Sequence, residues 1–377
     1  MKKVLIFYAS YGGGHLSAAK SVQSYMDENY EDIETNLVDC IKYINKPAEK
    51  LSTKIYMSIA TKHTKIWEKL YKTSNKGAVS GFSTGINNLM AKKLFKLIKA
   101  YNPDLIVSTH PFSTQMCARL REKGKISCPL VTILTDFVLH NQWLTHKEYN
   151  NLFCVSTDNL RQKLIEAGVD ENKVITTGIP ISQRFKEHFD REEICKMFNL
   201  DPNKKVMLFF GGGELGIGRK NTLDILEAFA KGNYDVQVVT VAGRNEKLKA
   251  SFEEIAAKYN KEDLIKVLGY TTQVPELMSI STLVITKPGG LTSSESLACK
   301  LPLLLINPIP GQEVGNAELL EEIGAAIWIK PETNLDELFN KVFNNEETLA
   351  KMKENSTKLS RLDSTKTICD ICIKEVL

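Results

Sequence analysis

The chain has 377 residues, 43% hydrophobic and 25% charged, the composition of an ordinary soluble globular protein. That length predicts two domains, and no apolar run approaches the roughly 18 residues of a membrane-spanning helix, so integral insertion is not expected. The formal charge of +4 is uneven: residues 41–100 hold 13 lysines against Glu49 and Glu68, a local +11 that leaves −7 for the rest and calls for an anionic partner.

The start, Met1-Lys2-Lys3 before an apolar stretch at 4–9, imitates a signal peptide. The stretch is too short, however, and Gly12-Gly13-Gly14-His15 stands where a small-residue cleavage site should lie, so it reads as a first buried strand. Further strands are predicted at 33–39, 105–109, 131–135 and 152–155. After Pro180 the rhythm restarts, with strands at 206–210, 236–242, 265–268, 283–286, 303–307 and 326–329. Strands separated by helix-length segments indicate βαβ units, parallel sheets and an α/β class. Two such series, joined around Gly178-Ile179-Pro180-Ile181, predict twin Rossmann-like, doubly wound domains facing an interdomain cleft. The expected division is 1–181 and 182–358, with a C-terminal helix at 359–377 crossing back onto the first domain. The eight cysteines are scattered, as reduced thiols of a cytosolic protein would be. Cys369 and Cys372 form a C-x-x-C without a second Cys or His pair, which reads as one face of a short amphipathic helix rather than a zinc or redox site.

Three glycine clusters fall at strand ends and precede predicted helices: Gly12-Gly13-Gly14-His15, Gly211-Gly212-Gly213-Glu214 and Pro288-Gly289-Gly290. Open parallel sheets bind ligands beyond the carboxyl ends of their strands. Glycine permits close backbone approach, and a helix start offers unpaired N–H groups to an anion. One cluster could be a tight turn; three at equivalent places point to a phosphate-bearing ligand. The run Gly211-Gly212-Gly213-Glu214-Leu215-Gly216 also satisfies G-x-G-x-x-G. The acidic residue that signature wants at the next strand's end is replaced by Val241-Ala242-Gly243-Arg244-Asn245. Arg244 would suit an NADP 2′-phosphate, so an oxidoreductase is an alternative, but one that leaves the other two clusters unexplained.

The segments Thr286-Lys287-Pro288-Gly289-Gly290-Leu291-Thr292-Ser293-Ser294-Glu295 and Pro310-Gly311-Gln312-Glu313-Val314-Gly315-Asn316-Ala317 are more specific. They resemble the donor site of the family of bacterial processive diacylglycerol glucosyltransferases and plant monogalactosyldiacylglycerol synthases, and more distantly the lipid II GlcNAc-transferase. Thr135-Asp136-Phe137-Val138-Leu139-His140-Asn141-Gln142-Trp143 resembles the same family's first half, and the likeness runs over about 4–330. The resemblance implies a GT-B fold and inverting transfer of a hexose, glucose first, from a UDP-sugar donor to diacylglycerol or a glycosyl-diacylglycerol. It implies that Gly289, Gly290, Leu291 and Thr292 hold the UDP diphosphate, that Glu295 accepts the ribose hydroxyls, and that Gln312, Glu313 and Asn316 contact the sugar. Gly14, Gly213 and Glu214 would line the same site, and Tyr270 would stand beside uracil.

Inversion in one displacement needs a base for the acceptor hydroxyl. His15, ending the first glycine loop, is the expected base, since an imidazole with an ordinary pKa near 6.5 takes a proton near neutrality. Asp136 is the rival, or the residue that orients His15. No D-x-D sequence occurs, which fits a metal-free reaction with no cofactor. In the basic stretch, Lys54, Lys62, Lys65, Trp67, Lys69 and Lys72 combine cations with aromatic surface, as an interfacial helix requires. These residues, with His140 and Trp143, are expected to face the acceptor and an anionic membrane surface. Nucleic acid is not expected as a partner, because no recognition fold supports it. The enzyme would then be cytoplasmic and peripheral on the inner face of the cell membrane. Residues 77–85, rich in glycine and serine, predict a mobile loop near the acceptor. A UDP-sugar epimerase and a non-catalytic UDP-sugar sensor are the alternative functions.

Overall fold

The computed structural model describes residues 1–10, 13–44, 80–212 and 218–377, the side chains of 80–90 excepted. Backbone proximity divides the chain into two compact units. One comprises Met1–Gln183, Ile309–Gly315 and Arg361–Leu377; the other comprises Arg184–Pro308 and Asn316–Ser360. Ile309–Gly315, which chain order alone assigns to the second domain, groups with the first because Gly315 sits against Val138: a Cβ added there would stand 3.0 Å from a Val138 methyl.

The first unit holds strands β1 (Lys2–Tyr8), β2 (Ile33–Asp39), β3 (Leu105–Ser108), β4 (Leu130–Ile133), β5 (Leu152–Val155) and β6 (Val174–Thr176). They form one parallel sheet in the order β2-β1-β3-β4-β5-β6. Alternate β1 residues serve opposite faces. Val4 and Ile6 pack with Ala19, Val22 and Met26 of the helix Gly13–Asn29 and with Ile368, Cys369 and Cys372. Leu5 and Phe7 pack with Leu94 and Ile98 of the helix Ser80–Tyr101 and with Met116 and Cys117 of the helix Pro111–Glu122. Burial on both faces explains why these strands read as unbroken apolar runs.

The C-terminal helix Ser364–Ile371 presents Cys369, and Cys372 just beyond it, to that core. Burial pushes both thiols well up, so they pack as small apolar groups. Correction is needed at 77–85: residues 80–85 open the helix Ser80–Tyr101, and 77–79 lie outside the described residues. Glycine and serine are weak helix formers, but buried Ala91, Leu94 and Ile98 at helical spacing anchor the element beyond them. The edge strand β6 went unread because three residues carry too little alternation.

The second unit repeats the grammar with β7 (Lys205–Phe210), β8 (Val236–Val241), β9 (Ile265–Leu268), β10 (Leu283–Thr286), β11 (Leu303–Leu305) and β12 (Ala326–Trp328). Its parallel order is β12-β11-β10-β7-β8-β9. Met207, Phe209, Val238 and Ile285 meet Ile225, Phe229, Phe252 and Phe339 from the covering helices. Each such side chain taken from water contributes about 1.5–3 kcal/mol.

In both sheets the strand order reverses once near the middle. In the first, chain order goes outward from β1 to β2 and then returns to β3 on the other side of β1. In the second, it goes from β7 through β8 to β9 and returns to β10 beside β7. A cradle opens beyond the strand ends at such a reversal, since the adjoining connections run to opposite faces.

Candidate active site

At the first reversal, β1 leads into the helix bearing His15, and β3 ends at Thr109 and His110. His15 Nδ1 lies 2.7 Å from the Thr109 carbonyl and 3.0 Å from the Thr135 hydroxyl. A carbonyl can only accept, so Nδ1 carries the proton and Nε2 keeps its lone pair. Thr109 closes the clamp by donating from Oγ1 to the His15 carbonyl at 3.0 Å, while its own N–H donates to the Phe7 carbonyl at 3.0 Å. Desolvation lowers the His15 pKa to about 4, against the opposing pull of the Thr109 carbonyl. His15 is thus a neutral, tautomerically fixed acceptor at physiological pH. The ordinary value near 6.5 expected from sequence is corrected by burial.

His110, which sequence reading did not single out, stands edge-on to His15 with ring centroids 4.5 Å apart. Its Nδ1 accepts from the Phe112 N–H at 3.1 Å, capping the helix that begins at Pro111. Its carbonyl accepts from the hydroxyls of Ser108 at 3.1 Å and Ser113 at 3.0 Å. A buried series continues from Ser108 through Thr114 and Thr132 to the Asn150 Oδ1. The His-Pro pair at a helix start was the available signal. The rival base Asp136 follows Thr135, and its carbonyl accepts from Ser156 Oγ at 2.9 Å.

Two acceptor-side expectations need correcting. Trp143 is 1% exposed and packs against Leu134, Phe153, Val155 and Leu160, so its ring completes the core and is closed to a membrane. His140 is buried too, its Nδ1 accepting from the Gln142 N–H at 3.2 Å to cap the turn that carries Trp143. Lys54, Lys62, Lys65, Trp67, Lys69 and Lys72 lie outside the described residues, as do Gly213 and Glu214.

At the second reversal, β7 is followed by Gly211 and Gly212, and β10 by Lys287, Pro288 and Gly289. Gly212 has φ +100°, a conformation glycine adopts freely. The helix Gly290–Ala298, with Leu291 and Thr292 in its first turn, has extended Gly289 as its cap residue and, among the described residues, no side-chain cap. Its leading N–H groups are left for another acceptor. Ser293 Oγ is buried without a hydrogen-bond partner among the described residues. Burial raises the Glu295 carboxyl to about 8, and among the described residues it has no hydrogen bond or ion pair. A partly buried carboxyl in that condition suits ligand hydroxyls.

Asn316 is fully buried and donates from Nδ2 to the Pro288 carbonyl at 3.0 Å. It positions the glycine loop, which corrects the expected direct sugar contact. In the first unit's inserted segment, Glu313 Oε2 accepts from the Ile309 N–H at 2.7 Å, bracing the start of the helix Gln312–Glu322, where Gln312 is partly exposed. Tyr270 is 65% exposed, with the Arg244 guanidinium 4.9 Å from its ring centre. Gly14 lies in the first turn of the helix that bears His15.

The family model described as monogalactosyldiacylglycerol (MGDG) synthase matches residues 15–181, and that for glycosyl transferases group 1 matches 190–359. The chain is 33% identical over 379 aligned residues to the processive diacylglycerol β-glucosyltransferase of Bacillus pumilus strain SAFR-032, covering 99% of this chain and 95% of that protein. It belongs to the diacylglycerol glucosyltransferase family. Among solved structures, the S. aureus MnaA–UDP co-structure superposes with a TM-score of 0.67 at 15% identity, covering 100% of this chain and 98% of that one. The Neisseria meningitidis UDP-GlcNAc 2-epimerase bound to UDP-GlcNAc gives 0.65 at 15% identity, covering 100% of each chain. These likenesses show the shared fold of two Rossmann-like domains. As a member of the diacylglycerol glucosyltransferase family, the protein is a glycosyltransferase.

Proposed function

We propose that the enzyme transfers glucose from UDP-glucose to the hydroxyl of diacylglycerol or of a glycosyl-diacylglycerol, with inversion and without a metal ion. The observation that carries the mechanism is the fixed tautomer of His15, which presents Nε2 as a base. The acceptor oxygen attacks the anomeric carbon while its proton passes to Nε2. The bond from that carbon to the diphosphate breaks, and its electron pair leaves with UDP. The uncapped helix start at Gly290, Leu291 and Thr292 meets the departing charge, and Glu295 receives the ribose hydroxyls. Gln312 and Glu313 are the candidates for sugar contacts, and Tyr270 stands beside uracil. The relatives that support this reading are named as diacylglycerol glucosyltransferases.

The lysine-rich stretch 41–100 would hold the enzyme on the anionic inner face of the cell membrane. Among the described residues, no helix is long and apolar enough to cross a membrane. The test is incubation with UDP-glucose, UDP-galactose or UDP-GlcNAc, with and without diacylglycerol vesicles. Lipid-dependent UDP release and a glucosylated lipid are expected. Epimerised nucleotide sugar without lipid would replace this reading with an epimerase, a reaction run on the same fold by the Neisseria protein.

A further inference from the structure

We propose that Val138 and Gly315 form a spacing contact that sets the turn bearing Gln312 and Glu313 against the proposed base, His15. The inference rests on the donor reading above and adds two positioning residues to it. Both belong to the first compact unit, as do His15 and the segment Ile309–Gly315. A Cβ built on Gly315 would stand 3.0 and 3.1 Å from the two Val138 methyls and 3.4 Å from the Val138 Cβ. The valine thus meets bare backbone with its whole branched end. Local conformation does not call for glycine there. Gly315 lies inside the helix Gln312–Glu322, its φ is not left-handed, and alanine is the better helix former. Close approach to Val138 is the reason left.

Each side of the contact is held. Phe137 is buried, the Asp136 carbonyl accepts from Ser156 Oγ at 2.9 Å, and Leu139 packs with Leu134 and Trp143. Three residues before Val138, the Thr135 hydroxyl lies 3.0 Å from His15 Nδ1. Across the contact, the Gly315 N–H donates to the Gly311 carbonyl at 3.2 Å, and Glu313 Oε2 accepts from the Ile309 N–H at 2.7 Å. Gln312 and Glu313 therefore sit on a braced turn just before the glycine. A short run of pinned residues connects the histidine to that turn, and the valine fixes the gap. A β-branched side chain has few rotamers, and a packed contact resists small displacements, so the spacer is stiff. In a single displacement the base, the acceptor oxygen and the anomeric carbon must align, and an error of about 1 Å costs roughly 100-fold.

The test is a double-mutant cycle on the full chain, read by glucose transfer from UDP-glucose to diacylglycerol vesicles and by calorimetric titration with UDP. Gly315→Ala drives a methyl into Val138 and displaces the turn; adding Val138→Ala makes room for it. Gly315→Ala should raise the KM for UDP-glucose and lower kcat, together roughly a 10-fold loss in kcat/KM, while binding UDP as the parent does. The double variant should recover most of that loss. Val138→Ala alone keeps the glycine and removes the spacer; it should lose about 3- to 10-fold in kcat/KM with UDP binding unchanged. If thermal melting shows that Gly315→Ala does not fold, this last variant carries the test. Parent-like kcat/KM in either folded single variant ends the proposal. So does a double variant as impaired as Gly315→Ala, or a loss of UDP affinity in step with kcat/KM. If the parent transfers no glucose, the donor reading fails first; an active parent with unmoved variants sinks this inference alone.

Discussion

The two strand-order reversals are built alike and finished differently. At the first, the protein fixes one side of the His15 ring: Thr109 holds its Nδ1 and its carbonyl, and Thr135 lies beside the same nitrogen. At the second, among the described residues, the helix start has no side-chain cap, the Ser293 hydroxyl has no partner, and the desolvated Glu295 carboxyl has no ion pair. A base must be oriented before substrate arrives, so its second nitrogen is committed within the fold. A subsite for a charged ligand must leave donors and acceptors unspent. The first site commits one nitrogen of its histidine and leaves the other open, and the second leaves a helix start and a hydroxyl open among the described residues.

Removing the proposed base should have the largest effect. His15→Ala is expected to lower turnover by roughly 100-fold or more with UDP affinity little changed, the range for a lost general base. Near-normal turnover would move the role to Asp136. The histidine clamp also fixes a pH dependence. With the His15 pKa at about 4, the acid limb of kcat/KM should lie near that value, and a midpoint near the ordinary 6.5 would show that burial does not act on this ring. The neutral imidazole contributes stability that is present above 6.5 and lost as pH falls through about 4.

At the donor side, Glu295→Ala should weaken UDP binding roughly 10- to 100-fold, read by titration. The same carboxyl offers a finer test. Hydroxyl donors favour its ionised form, so UDP binding near pH 7 should release a proton, measurable as a dependence of binding heat on buffer ionisation. Binding heat independent of the buffer would mean the carboxyl stays protonated or sits elsewhere. Because its folded pKa is raised to about 8, Glu295 stabilises the fold below its unfolded value near 4.5, and that contribution is lost as pH rises through 8. The smallest effect belongs to Asn316→Ala. It should cost about 1–3 kcal/mol of stability in denaturant unfolding, with a few-fold rise in the donor KM, because the Pro288 carbonyl loses its partner. An unchanged melting curve would show that the loop does not depend on that bond.

Sequence periodicity exposed nearly all of the strands, because strands buried on both faces must be apolar throughout and their ends carry glycine. The glycine-lined strand ends and helix starts also marked His15, Gly289 and Gly290 as chemistry-bearing positions, whereas Glu295 was marked by the family resemblance of its segment. His110 and the hydroxyl series behind it escaped notice: their partners lie on β3, β4 and the helix between, and no single window of sequence contains them. Trp143 illustrates the opposite error, an aromatic beside lysines and histidines in the chain that folds inward onto Phe153 and Leu160.

By itself, the sequence determined the α/β class, the two series of strands, the glycine-lined strand ends and the family. Those depend on local spacing and residue type, which every stretch of chain carries with it. Only the tertiary structure decided which nitrogen of His15 is free, how far burial shifts it and Glu295, and that Asn316 holds a loop. Tautomer, desolvation and close approach are properties of what surrounds a group, and those surroundings come from residues distant in the chain.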